Sequence, residues 1–182
     1  FKHFNGNYNK VLHAGCGSGQ VDVDIAKNCE LTALDISPKA LQKYLNCHKE
    51  NNISLEHGDI FNLPFKDKTF NIIFNLGVME HFNEKDINRI LLEFKTKLHD
   101  HGKIILFWPP EYGVSVKFLK FVKKSINFIF KKNIDLHPDE ISLIKSKQHA
   151  LGILNKAGFK IIQSYFGIRD LFTHEVIIAT KR

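Results

Sequence analysis

The sequence predicts an α/β protein whose seven-stranded, mostly parallel sheet carries helices on both faces. Short apolar runs alternate with helical patterns from Lys10 to the C-terminus. That alternation is the mark of parallel strands joined by right-handed helical crossovers. The last two apolar runs lie about ten residues apart, too close to hold a helical crossover, so they should pair antiparallel at one edge. A length of 182 residues, 43% hydrophobic and 25% charged, fits one domain, residues 1–182, around one core.

The elements follow in order. Residues 10–14 (KVLHA) form a strand that runs into a glycine cluster, and residues 21–27 form the helix after it. Residues 31–35 (LTALD) are a second strand ending on a carboxylate. Ser37-Pro38 supplies an N-cap and a first-turn proline for a helix over residues 39–50, which Asn51-Asn52 stops. Residues 53–57 and 70–75 are the third and fourth strands. Ile87, Ile90, Leu91, Phe94 and Leu98 recur at helical spacing and mark an amphipathic helix over 86–98, with Asp100-His101-Gly102 as its exit turn. Residues 103–108, 160–165 and 175–180 are strands five to seven, with a helix at 148–157 before the sixth. Residues 109–146 are an insertion between the fifth strand and that helix.

Composition removes several classes. No apolar run approaches the ~20 residues of a spanning helix, and no signal-peptide pattern opens the chain. Cys16, Cys29 and Cys47 are an odd set without a CxxC pair, which argues against a disulfide framework or a metal site and for the cytoplasm. The net charge is +7, but only Arg89, Arg169 and Arg182 are arginines. Arginine is the favoured fork for phosphates and bases, so a lysine-dominated excess argues weakly for nucleic acid and more for a solvated surface.

The most informative segment is Gly15-Cys16-Gly17-Ser18-Gly19, between a strand and a helix. Glycines there leave no Cβ in a ligand's way, and the following helix N-terminus favours negative charge. A dinucleotide site would want G-x-G-x-x-G; position 20 is Gln, so a nicotinamide cofactor loses ground. No Gly-Lys-Ser/Thr follows, so this is no P-loop. Asp35 ends the second strand 20 residues after Gly15. In an open parallel sheet that strand end borders the ligand crevice, where a carboxylate can accept from both hydroxyls of a ribose. Asp59 lies at the same rim, placed for an adenine amino group.

At these residues the chain resembles the class I S-adenosylmethionine-dependent methyltransferases. VLHAGCGSG is similar to the first family motif, LTALDIS to the second, EHGDIFNLPF to the third and FNIIFNLGVMEHF to the fourth. The resemblance implies a Rossmann-like sheet of order 3-2-1-4-5-7-6 with the seventh strand antiparallel. It implies S-adenosylmethionine as cofactor and S-adenosylhomocysteine as product. It places His13, Ala14, Gly15, Cys16, Gly17, Gly19, Asp35, Ile36, Asp59, Ile60, Asn75 and Leu76 around that cofactor, with carbonyls of Ala14 and Asn75 toward its ammonium group. His81, in the G-V-x-E-H-F pattern, is the candidate base or acceptor-orienting group. One departure stands out: the family usually carries Asp or Glu where this chain has His13. Neutral histidine can accept one hydrogen bond but brings no negative charge.

The acceptor is less legible. Trp108-Pro109-Pro110-Glu111-Tyr112 superficially resembles the Asn/Asp-Pro-Pro-Tyr signature of amino-group methyltransferases. That signature belongs after the fourth strand, where this chain has Asn75-Leu76-Gly77-Val78. Residues 117–132 carry six lysines, no acid and apolar residues at helical spacing, the pattern of a lid over an acceptor or of a helix resting on an anionic membrane surface. Tyr112 and His137 lie in the same insertion. The expectation is methyl transfer to a small-molecule acceptor, lipid-like or quinone-like. The alternatives are an RNA or protein methyltransferase and a non-catalytic cofactor-binding protein. Acceptor identity and oligomeric state are not encoded in any motif.

Overall fold

The computed structural model describes residues 10–48, 53–113, 141–167 and 172–182. The strands are β1 (Lys10–Ala14), β2 (Glu30–Asp35), β3 (Ile53–His57), β4 (Phe70–Leu76), β5 (Leu98–Trp108), β6 (Phe159–Tyr165) and β7 (Glu175–Lys181). The helices are α1 (Asp22–Ala26), α2 (Pro38–Cys47), α3 (Glu84–Lys97) and α4 (Lys147–Lys156), with a 3₁₀ turn at Met79–His81. The strands make one sheet of order β3-β2-β1-β4-β5-β7-β6. All pairs from β3 to β5 are parallel, and β7 runs antiparallel to both β5 and β6. This is the Rossmann-like methyltransferase fold that the resemblance implied.

Successive residues of the central strands face opposite sides, and both sides are covered. Leu12, Ile73, Ile104 and Leu106 pack with Ile87, Ile90 and Phe94 of α3 and with Leu154 of α4. Val11, Ile72, Phe74 and Ile105 pack with Ile25 and Ala26 of α1 on the other face. Tyr44 of α2 packs against Cys16 and Ala33 beside β2. Ser37 caps α2 as its sequence predicts, accepting from the Ala40 N–H at 3.3 Å. Asn83 and Ser146 do the same for α3 and α4, at 3.0 and 3.1 Å.

Two boundaries differ from the sequence reading by more than two residues. Helix α2 ends at Cys47, because His48 turns to extended backbone and its ring packs on Tyr44, centroids 4.2 Å apart; residues 49–52 lie outside the described residues. Asp100-His101-Gly102 is not a turn outside the sheet. Leu98, wholly buried, already pairs with Phe70, and the next pair is Lys103 with Ile72. Burial of Leu98 against the sheet starts β5 directly after α3, and the polar residues that read as a turn form an irregularity within the strand.

The insertion leaves and re-enters the fold at one place. Pro110 and Ile144 form a parallel bridge, with Glu111 N–H donating to the Ile144 carbonyl at 3.0 Å and Ile144 N–H to the Pro109 carbonyl at 3.2 Å. The basic pattern at 117–132 and His137 lie outside the described residues. No described helix is long and apolar enough to cross a membrane.

Candidate active site

A cavity of about 610 Å³ opens where the carboxyl ends of β1, β2 and β4 meet the segment after β3. His13, Gly15, Cys16, Gly17 and Gly19 line it from the glycine loop, and Asp35 and Ile36 from the end of β2. Asp59 and Ile60 line it after β3, and Leu76 and His81 after β4. The structure thus brings eleven of the sequence-predicted site residues together. Ala14 and Asn75 are not among the lining residues; both are fully buried, Ala14 within the core under α3 and α4. Strand alternation turns their side chains away from the cavity wall.

Asp35 organises the loop. Its Oδ2 accepts from the Gly17 N–H and its Oδ1 from the Ser37 N–H, each at 2.8 Å. The N–H groups of Gly15 and Cys16 donate to the Leu34 carbonyl at 2.8 and 3.0 Å. The glycine loop is therefore fastened to the end of β2. Each Asp35 oxygen keeps a second acceptor position for a ligand hydroxyl. Asp59 is likewise held, its Oδ1 accepting from the Phe61 N–H at 2.9 Å.

The glycines serve different ends. Gly17 has φ +55°, and a Cβ there would meet no atom within 4 Å, only the open cavity. Gly19 has φ +64°, and its Cβ would lie 2.0 Å from the Tyr44 ring. The first leaves room for a ligand; the second leaves room for α2. Burial, then the Asp35 carboxylate, pushes the Cys16 thiol up to about 12.

Residues 11–102, half of the chain, match the methyltransferase-domain family. The chain belongs to the class I S-adenosylmethionine-dependent methyltransferases. It is 30% identical over 82 residues to norajmaline N-methyltransferase of Rauvolfia serpentina, covering 42% of this chain and 28% of that one. Its fold matches a solved methyltransferase of Methanosarcina mazei with TM-score 0.77 at 18% identity, covering 99% and 95% of the two chains. It matches magnesium protoporphyrin IX methyltransferase of Synechocystis, solved with S-adenosylhomocysteine bound, with TM-score 0.68 at 19% identity, covering 100% and 77%. The chain spans under half the length of the curated relatives it matches.

The residues present fit the family's cofactor. The open space over Gly17 is a cradle that a Cβ would fill, both Asp35 oxygens keep an acceptor position, and the buried Nε2 of His13 has no partner among the described residues. Val78 and the edge-to-face pair Phe61–Phe82, centroids 5.2 Å apart, add apolar side chains to the cavity lining. Among the described residues, no group of three His, Cys, Asp or Glu side chains could hold a metal ion. Tyr112 does not line the cavity; its hydroxyl donates to Glu175 Oε2 at 3.0 Å, and burial followed by that bond pushes the phenol up to about 12.

Sequence reading missed a buried polar cluster behind the loop. His13 Nδ1 lies 2.9 and 2.8 Å from the two oxygens of Asp22, and the Tyr44 hydroxyl donates to Asp22 Oδ2 at 2.7 Å. An acid in a helix's first turn ordinarily answers the helix dipole from the surface. The available signal was spacing: Asp22 stands three and four residues before Ile25 and Ala26, on the buried face of α1.

Proposed function

We propose that the protein transfers a methyl group from S-adenosylmethionine to a small, largely apolar acceptor. The observation that carries this reading is a glycine loop pinned by Asp35 at a cavity whose lining includes the apolar side chains of Val78, Phe61 and Phe82. Asp35 accepts from the ribose hydroxyls, Asp59 and its neighbouring backbone meet the adenine, and Ile36 and Ile60 flank it. Open space over Gly17 admits the amino-acid end. Bound there, S-adenosylmethionine supplies an already activated methyl group. The protein's remaining task is to orient the acceptor and exclude water. Val78, Phe61 and Phe82 supply the apolar wall, and His81 orients the acceptor or takes its proton.

The pattern of residues 117–132 supports an apolar acceptor from sequence, since a lid and a membrane-surface helix both present an apolar face. Norajmaline N-methyltransferase and magnesium protoporphyrin IX methyltransferase are named for small-molecule acceptors, which favours the same class here. The test is to incubate the protein with methyl-labelled donor and cell extract and to fractionate lipid, small molecules, RNA and protein. Label in the small-molecule or lipid fraction is expected. Label confined to RNA or protein overturns the acceptor class.

A further inference from the structure

The cavity wall that carries His81 is tied to the end of the sheet by a chain of hydrogen bonds. His81 lines the cavity and closes a 3₁₀ turn of three residues, Met79–His81. The turn's own bonds are long: His81 N–H to the Val78 carbonyl and Phe82 N–H to the Met79 carbonyl, both at 3.2 Å. Such turns have poor hydrogen-bond geometry and lean on what surrounds them. The Glu80 carbonyl accepts from two backbone donors, Ile141 N–H at 2.6 Å and Ser142 N–H at 3.0 Å. The Ser142 carbonyl in turn accepts from the Trp108 indole Nε1–H at 2.6 Å. Trp108 is 0% exposed at the end of β5, where it pairs with Glu175 of β7.

We propose that Trp108, acting through Ser142, is a positioning residue for His81. This rests on the reading of His81 as the group that orients the acceptor or takes its proton. The Glu80 carbonyl and the His81 N–H belong to one planar peptide unit. Two donors on its oxygen and one acceptor at its nitrogen fix that plane, and with it the Cα from which the imidazole projects. Both donors lie where the chain returns from the insertion, just before the bridge of Ile144 to Pro110. Trp108 and Ile144 share one apolar core, so the return segment is held by packing on one side and by the indole N–H on the other. The bonds that fasten the glycine loop to Asp35 use none of these residues. Cofactor binding and His81 placement are therefore separable.

NMR of histidine-labelled protein saturated with S-adenosylhomocysteine tests this. Trp108→Phe keeps an aromatic ring in the core and removes the donor. It should move or broaden the His81 ring resonances and leave S-adenosylhomocysteine affinity within about twofold. The ring of His57, whose Nε2–H donates to the Ile36 carbonyl at 3.0 Å, should stay in place. Ile141→Pro removes one donor to Glu80 from a residue that is 62% exposed. It should act on His81 in the same way, and it decides the matter where the Trp108 variant does not fold. Turnover is the second readout, taken at saturating donor as methyl label entering the small-molecule and lipid fraction of cell extract. Trp108→Phe should lower that rate about tenfold alone and less than about twofold in a His81→Ala background, because residues acting as a unit are not additive. Unmoved His81 resonances, equal movement of His57, a matching fall in S-adenosylhomocysteine affinity, or equal loss of rate in both backgrounds overturns the proposal and leaves the cofactor reading intact. A His81→Ala protein with full turnover overturns the role of His81, and this proposal with it.

Discussion

Gly17 and Asp35 are joined by a 2.8 Å hydrogen bond from the loop's N–H to the carboxylate that closes β2. The same carboxylate receives the Ser37 N–H at the start of α2. One side chain therefore ties the loop to the helix entry, and the proposed ribose contact falls on that same carboxylate. Asp35→Ala should lower S-adenosylhomocysteine affinity about ten- to a hundredfold, as expected for losing charge-assisted bonds to a ligand. Asp35→Asn keeps one acceptor oxygen and should lose less. Calorimetry decides, and an Asp35→Ala protein that binds normally removes Asp35 from the site.

Gly17 and Gly19 should fail in different assays. Gly17→Val projects into open cavity, so cofactor binding should vanish while the fold bears only the left-handed backbone cost of about 1–2 kcal/mol. Gly19→Ala drives a methyl into a Tyr44 ring that is 1% exposed and tied to Asp22. That overpacking, added to the backbone cost, should destabilise the fold by about 2–4 kcal/mol. Urea melts beside calorimetry separate the two. Equal destabilisation by both substitutions contradicts the assignment.

Glu84 at the start of α3 pairs with His149 of α4 at 2.9 Å, and that hydrogen bond, with lesser help from charge, holds the carboxyl below its ordinary 4.5. A carboxyl lowered in the native state contributes stability above its unfolded value and loses it as pH falls through the native one. Glu84 is 59% exposed, so the effect is screened to a few tenths of a kcal/mol. Urea midpoints of the unmutated protein and Glu84→Gln should differ at neutral pH and converge below pH 4.5. A gap that widens toward acid has the wrong sign for this pair.

Glu175 is 1% exposed and takes hydrogen bonds from Tyr112 and Ser164. Ser164→Ala removes one donor from a buried carboxylate and should destabilise by about 1–3 kcal/mol. Tyr112 is 40% exposed, so water can replace its hydroxyl and Tyr112→Phe should cost less. Denaturant titration ranks them; the reverse order places the main support for Glu175 on the aromatic side.

The sheet was legible because each central strand is an apolar run with a turn or cap beside it, and Ser37-Pro38 marked its helix to within one residue. Asp35 and the glycine loop were legible because strand ends and loop chemistry are local. His13–Asp22–Tyr44 was not. It joins β1, α1 and α2, and local pattern cannot distinguish a buried first-turn aspartate from a surface one. The resemblance assigned Ala14 and Asn75 through their backbone carbonyls, and strand alternation, which turns their side chains into the interior, does not bear on those. The start of β5 was hidden because His99 to Gly102 are polar where a strand is expected to be apolar.

The bridge between Pro110 and Ile144 closes the insertion at its base. A chain excursion that departs and returns at one clasp behaves as a graftable cassette. The clasp fixes both ends of the connection, so lengthening it adds a loop-closure cost of only about 0.6 kcal/mol per doubling. Exchanging what lies between Gly113 and Ile141 for a foreign segment should therefore leave the Asp35 half of the molecule thermodynamically untouched.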